Sequence, residues 1–318
     1  MMDMNHPIVT EPKIIGHEKI VKFLENSIKN GRMSHAYLFY GAPNLGKRFV
    51  AEYFAAKLLG ENIPTRQITE HLYPDLFWVE RLESKKNISI DQMRELKGKL
   101  SSSSFNNSYK VAIINEAENL NQAAANSFLK ILEEPSPRSV IILLVNDLKN
   151  IPATIISRSQ LIRFNQVKTK TIENYLINNL KIKKDLATRM ALLSFGRPGI
   201  AVRLAGDKLF LKKYEDTADK FLKIIAADLV GRLNFVADLD LNDIPFSVWE
   251  SVARDILMAQ LDLPVIEQSR LLKIKSLAKE IPLDKLVDFL EELRLTRIYL
   301  SYSANKRIVL DNLFVSLG

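Results

Sequence analysis

The chain has 318 residues, 47% of them hydrophobic, and a formal net charge of +8, and this length predicts more than one domain. It contains no cysteine and only four histidines, which excludes disulfides, iron–sulfur clusters and thiolate zinc sites. The longest apolar run, residues 140–145, is far shorter than the ~20 residues that cross a bilayer, and residues 1–13 lack the basic and apolar parts of a signal peptide, so we expect a cytoplasmic protein.

The first half of the chain alternates between helical and extended patterns. In chain order we predict a helix over 16–33, a strand over 36–40, a helix over 49–59, a strand over 75–79, a helix over 91–100 capped by Ser89 or Asp91, a strand over 111–114, a helix over 121–132, and strands over 140–145 and 161–164. Strands that alternate with helices over about the first 165 residues predict an α/β domain with a mainly parallel sheet.

The second half carries helical patterns only. Short helices are predicted over 171–180, 185–195 and 200–205, and longer helical segments follow from residue 208, with proline breaks near 263–264 and 281–282. Residues 168–205 hold eight Lys or Arg side chains against two acidic ones. This surplus predicts a basic surface, which could face nucleic acid, an acidic protein, or only solvent.

A phosphate-binding pattern follows the first predicted strand. Residues 41–47 read GAPNLGK and match GxxxxGK, in which Gly41 and Gly46 shape the turn and Lys47 reaches a nucleotide phosphate. The strand before this turn and the helix after it are the context that the motif requires, although an ordinary strand-to-helix turn remains the alternative. The sequence therefore predicts a nucleotide-binding type of loop.

The two protein ligands that normally hold Mg²⁺ at such a loop are both replaced. The position after the lysine, usually Ser or Thr, holds Arg48, whose guanidinium donates hydrogen bonds but cannot ligate a cation. The strand over 111–114 is followed by Asn115 and Glu116 instead of Asp and Glu, and a neutral amide is a poorer Mg²⁺ ligand. Glu116 could still orient a water or simply be a charged strand end. We predict a degenerate site in which ATP or ADP binding is doubtful.

Several segments resemble the AAA+ subunits of bacterial clamp loaders. They are SHAYLFYGAP at 34–43, YKVAIINEAE at 109–118, AAANSFLKILEEP at 123–135, IISRSQ at 155–160 and GRPGIA at 196–201, and residues 305–317 resemble the closing helix of the family's collar domain. The third segment is the most specific of these. The resemblance therefore extends over almost the whole chain.

The resemblance implies roles for further residues. Asn146 stands where the family has its sensor 1 residue, and Ser157 with Arg158 resembles the family's SRC motif, whose arginine acts as a finger on a neighbour's ATP. Gly199 stands where the catalytic tau/gamma subunits carry their sensor 2 arginine, although Arg197 nearby could partly compensate. This pattern resembles the delta-prime group of the family rather than the tau/gamma ATPases.

As a member of this family, the chain is expected to have an α/β AAA+ core over 1–166, a helical lid over 167–206 and an all-helical collar over 207–318. The resemblance implies a non-catalytic subunit that assembles with tau/gamma and delta subunits and helps load the sliding clamp on primed DNA. No zinc is expected, since residues 60–74 lack the cysteines of the family's zinc module. The alternatives are an active tau/gamma-type ATPase and a DNA-binding regulator on an inactive phosphate-loop fold.

Overall fold

The structure is a computed structural model that describes residues 14–60, 73–82, 84–104, 109–241, 243–301 and 305–316. The chain divides into two compact units, Met1–Val202 and Arg203–Gly318. The division into core, lid and collar at residues 166 and 206 stays a prediction.

The first unit is built on one parallel sheet of five strands, β1 (Ala36–Tyr40), β2 (Leu76–Val79), β3 (Lys110–Ile114), β4 (Ser139–Val145) and β5 (Gln160–Arg163). Their order across the sheet is β2-β3-β4-β1-β5. Of the three inner strands, β3 and β4 are buried along their whole length, as their apolar runs predict. The predicted α/β fold with a mainly parallel sheet is confirmed.

Helices cover both faces of this sheet because alternate strand residues point to opposite sides. One face packs Leu38, Ile114 and Leu143 against α3 (Ile90–Ser101) and α4 (Gln122–Glu133). The other packs Phe39, Ile113 and Ile142 against α1 (Glu18–Lys29) and α2 (Lys47–Leu59). The helices of the first part of the chain are α1 (Glu18–Lys29), α2 (Lys47–Leu59), α3 (Ile90–Ser101), α4 (Gln122–Glu133), α5 (Ala153–Ile156), α6 (Thr169–Asn178), α7 (Lys184–Leu193) and α8 (Pro198–Gly206).

Local capping fixes where the predicted helices begin. Of the two candidate caps of α3, Ser89 serves: its hydroxyl accepts from the Gln92 amide, and the Gln92 side chain accepts from the Ser89 amide. Asn121 caps α4 by accepting from the Ala124 amide. Each cap satisfies amide groups that the first helical turn leaves without partners.

The second unit is helical in the residues that the structure describes. It contains α9 (Lys208–Ile225), α10 (Leu229–Ala237), α11 (Phe246–Gln260), α12 (Leu271–Glu280), α13 (Leu283–Ser301) and α14 (Lys306–Val315). The predicted breaks near 263–264 and 281–282 separate α11 from α12 and α12 from α13. An aromatic core joins four of these helices through Phe221, Trp249, Phe289 and Phe314, with ring centroids 5.2 to 6.3 Å apart.

None of the described helices is both long enough and apolar enough to cross a membrane.

Candidate functional site

The predicted site residues meet at one edge of the sheet. The loop of residues 41–46 follows β1, Asn115 follows β3 and Asn146 follows β4. Because the three strands are parallel, their carboxyl ends lie along the same edge, which is where open α/β sheets bind ligands. Sheet topology therefore brings together residues that are up to 105 positions apart in the sequence.

Two glycines are required by the shape of the loop. Gly41 has a φ of 145°, and a Cβ atom there would lie 2.4 Å from the Phe164 carbonyl oxygen. Gly46 has a φ of 96° and directly precedes the first turn of α2, while Asn44 also has a left-handed φ of 64°. Glycine adopts these angles without steric cost, so the pattern of two glycines matches the observed turn.

Lys47 turns back onto the loop. Its Nζ donates to the carbonyl oxygens of Gly41 (2.5 Å) and Ala42 (2.9 Å) and to Oδ1 of Asn146 (3.1 Å). The side chain is only 8% exposed, and this burial lowers the pKa of the ammonium to about 8, although Glu118 opposes the shift. All three donors of the ammonium therefore have acceptors within the chain.

Glu118 belongs to this network and was not predicted from the sequence. One of its carboxylate oxygens accepts from the backbone amide of Asn146 (3.1 Å) and from its Nδ2 (2.8 Å), so it orients the amide that binds Lys47. The predicted acid, Glu116, lies on an exposed left-handed turn and accepts from Asn119. The sequence does show a second glutamate in the NEAE segment at 115–118, but the pattern at the end of a strand does not tell which of the two glutamates faces the loop.

Arg48 points away from the loop. Its Nε donates to Glu52 Oε1 (2.9 Å), and its guanidinium lies 4.5 Å from the ring centroid of Trp78 on β2. Burial raises the pKa of the Glu52 carboxyl, and the hydrogen bond from Arg48 opposes that shift. The arginine at the position of the Mg²⁺ ligand thus contacts Glu52 in the same helix and Trp78 on the edge strand β2.

The remaining metal-side position, Asn115, is partly exposed, and its backbone amide donates to the Val79 carbonyl oxygen (2.8 Å). Within the described ranges, no group of three or more histidine, aspartate or glutamate side chains is arranged to hold a metal ion. The cysteine-free segment over 60–74 falls mostly, at 61–72, outside the described residues.

Gly199 contacts the phosphate loop directly. Its amide, near the start of α8, donates to the carbonyl oxygen of Asn44 (3.0 Å). A Cβ atom at Gly199 would lie 3.1 Å from the same oxygen and 3.2 Å from Asn44 Cβ, which leaves no room for a side chain without a shift. The residue predicted as a lost nucleotide contact is therefore a contact with the loop itself.

Arg158 lies apart from this network, after α5. Its Nη2 forms an ion pair with Glu133 Oε1 (3.0 Å), its Nη1 donates to the Thr154 carbonyl oxygen (3.2 Å), and its side chain is 38% exposed. The Ser157 hydroxyl donates to the same Thr154 carbonyl oxygen (3.1 Å). An exposed ion pair of this kind holds weakly, at about 0–1 kcal/mol, so the guanidinium can be released to another partner.

Known proteins resemble the first half of the chain. Residues 16–168 match the family model described as DNA polymerase III, delta subunit. The chain is 37% identical to DNA polymerase III subunit delta' of Pseudomonas aeruginosa over 135 residues, which cover 39% of this chain and 41% of that protein. It is 33% identical to subunit delta' of Bacillus subtilis over 184 residues, covering 55% of this chain and 54% of that protein.

A second type of subunit is matched as well. Subunit tau of DNA polymerase III from Bacillus subtilis is 32% identical over 169 residues, which cover 50% of this chain and 30% of that protein. The chain thus matches about a third to a half of the length of these relatives. Identity values of 32 to 37% do not by themselves separate the two types of subunit, so the site residues carry that distinction.

Proposed function

We propose that this chain, whose residues 16–168 match the family model, belongs to the delta'/tau/gamma family of DNA polymerase III clamp-loader subunits with an AAA+ fold, and that it is a delta-prime-type subunit that does not hydrolyse ATP. It acts in the cytoplasm, assembled with tau/gamma and delta subunits, and helps load the sliding clamp on primed DNA. In the assembly it serves as a comparatively rigid wall against which the ATP-driven subunits move.

The observation that carries this proposal is the chemistry of the phosphate loop. Arg48 replaces the hydroxyl ligand of Mg²⁺, Asn115 replaces the carboxylate ligand, and Gly199 cannot reach a γ-phosphate. Phosphoryl transfer depends almost entirely on positioning and on neutralising the phosphate charge, so the loss of all three contacts leaves little catalytic power. Nucleotide binding would also compete with the three hydrogen bonds that the Lys47 ammonium makes within the chain.

Arg158 is the residue that we propose acts in trans. It is exposed, its partner Glu133 is exposed, and its own phosphate loop does not use it. A guanidinium offered to a neighbour's γ-phosphate stabilises the charge of the transition state, which can be worth about 10³ to 10⁵ in rate. Ser157 supports it by hydrogen bonding to the same carbonyl oxygen.

The second unit is the proposed assembly domain. Fifteen large hydrophobic side chains are exposed among the described residues, and eleven of them lie after residue 203. They include Leu272, at 87% exposure, and Leu209, at 81%. Exposed apolar area concentrated in one part of a chain is typical of surfaces that bind other proteins.

The main rival is an active ATPase of the tau/gamma type, which the similarity to subunit tau favours. A turnover assay separates the two. We expect the isolated chain to show no ATP hydrolysis above background with Mg²⁺, with or without primed DNA. Hydrolysis that disappears in a Lys47→Ala variant would overturn the proposal. The alternative of a DNA-binding regulator is supported only by the basic surplus over 168–205. Assembly with the other clamp-loader subunits in the absence of DNA would argue against it.

Assembly is tested by mixing the full chain with tau/gamma and delta subunits of the same organism and weighing the product by native mass spectrometry. We expect one copy of this chain per complex. A chain that stays monomeric with both partners present would contradict the proposed role, whatever its ATPase activity.

A further inference from the structure

The carbonyl groups of the phosphate loop are bonded by three separate parts of the chain. Lys47 of α2 donates to the oxygens of Gly41 and Ala42, and His17, just before α1, donates through Nε2 to the oxygen of Leu45 (2.8 Å). The amide of Gly199 in α8 donates to the oxygen of Asn44 (3.0 Å). A turn of six residues is thus tied to one residue 24 positions before it and another 153 positions after it.

The bond from Gly199 satisfies a group that helix geometry leaves open. The first amides of an α-helix have no acceptor within the helix, and Pro198 at the first position has no amide hydrogen. Gly199 is the next residue, and the acceptor of its amide is the loop rather than a side-chain cap. The absence of a Cβ atom lets the two backbones approach closely enough for this bond to form.

The loop side of this contact is held in turn by buried polar groups. Lys47 is buried and fully bonded, and its third acceptor, Asn146, is oriented by two hydrogen bonds to Glu118. Asn44 has a left-handed φ of 64°, and its carbonyl oxygen accepts from the Gly199 amide. Releasing the ammonium of Lys47 would leave the oxygens of Gly41 and Ala42 without these donors, so the loop conformation and the Gly199 bond depend on each other.

We propose that the phosphate loop of this chain works as a clasp that fastens α8 to the carboxyl edge of the sheet, taking the bridging place that a bound nucleotide has in an active site. The clasp uses only groups of this chain, so it closes without ATP or ADP, and the hydrogen bonds of Lys47 keep added nucleotide from engaging the loop. It explains why a loop with no remaining Mg²⁺ ligand set still carries both glycines and the lysine: they shape the turn and supply its bracing donor.

The clasp rests on contacts within the isolated chain, and only its consequence, a helical segment that does not move with nucleotide, rests on the proposed function. It is tested on the full chain labelled with ¹⁵N-glycine, which has eleven glycines and therefore few amide signals. The Gly199 signal is assigned as the one lost in Gly199→Ala. Its hydrogen exchange is measured in the wild type, in Lys47→Met, and with millimolar ATP or ADP and Mg²⁺.

We expect Lys47→Met to accelerate exchange of the Gly199 amide by about tenfold or more, because the acceptor loop loses its brace. Gly98, in the distant helix α3, should keep its exchange rate, and nucleotide should leave both the shift and the exchange of Gly199 unchanged. Unaltered protection of Gly199 in Lys47→Met, or a Gly199 signal that moves on nucleotide addition, would overturn the clasp.

A pair of helix substitutions keeps the test decisive if Lys47→Met does not fold. Gly199→Ala introduces a Cβ against Asn44, whereas Gly206→Ala, at the other end of α8, meets no atom within 4 Å. We expect the Tm of Gly199→Ala to fall by several degrees and that of Gly206→Ala to stay or rise. Equal Tm values for the two variants would contradict the clasp. Neither result bears on assembly with partner subunits, which tests the proposed function separately.

Discussion

Lys47 carries a charge that the fold largely removes from water. Its pKa falls to about 8, against 10.5 in an unfolded chain, so between these values the unfolded state binds more protons than the folded state. The stability that Lys47 contributes should therefore rise with pH from about 8 to about 10.5. We expect the free energy of unfolding of the wild type, relative to Lys47→Met, to increase over this window by up to about 3 kcal/mol. Urea denaturation at several pH values measures it, and a difference independent of pH would contradict the burial of a charged amine.

Two hypotheses account for Arg158: it acts as an arginine finger in trans, or it only forms a surface ion pair with Glu133. Substitutions distinguish them. We expect Arg158→Ala to leave folding and assembly intact but to lower the DNA- and clamp-stimulated ATPase of the tau/gamma subunits. Arg158→Lys should restore little, because a point charge lacks the planar fork of the guanidinium. Arg163→Ala, an exposed arginine on β5, is the matched control and should leave that ATPase unchanged.

The hypothesis of a surface ion pair predicts different results for the same substitutions. If Arg158 only pairs with Glu133, both substitutions should load clamps normally and cost at most ~1 kcal/mol of unfolding free energy. Glu133→Gln adds a further check. It removes the competing carboxylate, so under the finger hypothesis it should leave the neighbour's ATPase unchanged or raise it. A loss of ATPase in Glu133→Gln equal to that in Arg158→Ala would contradict the finger.

At the scale of elements, the C-terminal end of α3 depends on a buried lysine from the next strand. Lys110 is 3% exposed, and its ammonium donates to the carbonyl oxygens of Lys99 (2.8 Å), Leu100 (3.3 Å) and Ser102. These are carbonyls that a helix end leaves without partners within the helix. A cation at this end also interacts favourably with the negative pole of the helix dipole. Lys110 thus ties the end of α3 to β3.

We expect Lys110→Met to lower the free energy of unfolding by about 2–3 kcal/mol, because it leaves several buried carbonyls without donors. Lys130→Met, an exposed lysine on α4, should change it by no more than about 0.5 kcal/mol. Chemical denaturation of both variants is the measurement. Equal small effects would mean that water replaces the ammonium at the helix end.

At the scale of the whole molecule, the two units differ in what they leave exposed. The first unit encloses its sheet between helices, whereas the second carries eleven of the fifteen exposed large apolar side chains among the described residues. Trp249, fully buried in the aromatic core of the second unit, stacks against Phe221. The second unit therefore has both a core of its own and apolar surface available for partners.

Truncation after residue 206 tests this division of labour. We expect the fragment 1–206 to remain folded and monomeric, because its sheet and both hydrophobic clusters lie within it. Its affinity for the tau/gamma and delta subunits should fall by at least about 100-fold, which corresponds to about 2.7 kcal/mol. Pull-down with the full chain as reference measures this. A fragment that enters the complex with full affinity would place the assembly surface in the first unit.

Local sequence determined the elements of this protein and the chemical identity of its site. Buried parallel strands need uninterrupted apolar runs, and helix starts need caps such as Ser89 and Asn121. A loop of the GxxxxGK type needs its two glycines at fixed spacing. Each of these features can be predicted from a few consecutive residues. The loss of the Mg²⁺ ligands at Arg48 and Asn115 could be predicted in the same way, because the ability to bind a metal depends on the side chain itself.

Only the tertiary structure decided which residues act together. The sequence favoured Glu116, but the turn after β3 points it to the exposed side and leaves Glu118 to bind Asn146. The sequence predicted that Gly199 marks a missing phosphate contact. The structure shows that its amide instead binds Asn44 of the loop, 155 positions earlier in the chain. Hydrogen bonds between elements distant in sequence depend on angles and distances set by the packing of the whole sheet and its helices, and no local pattern encodes those.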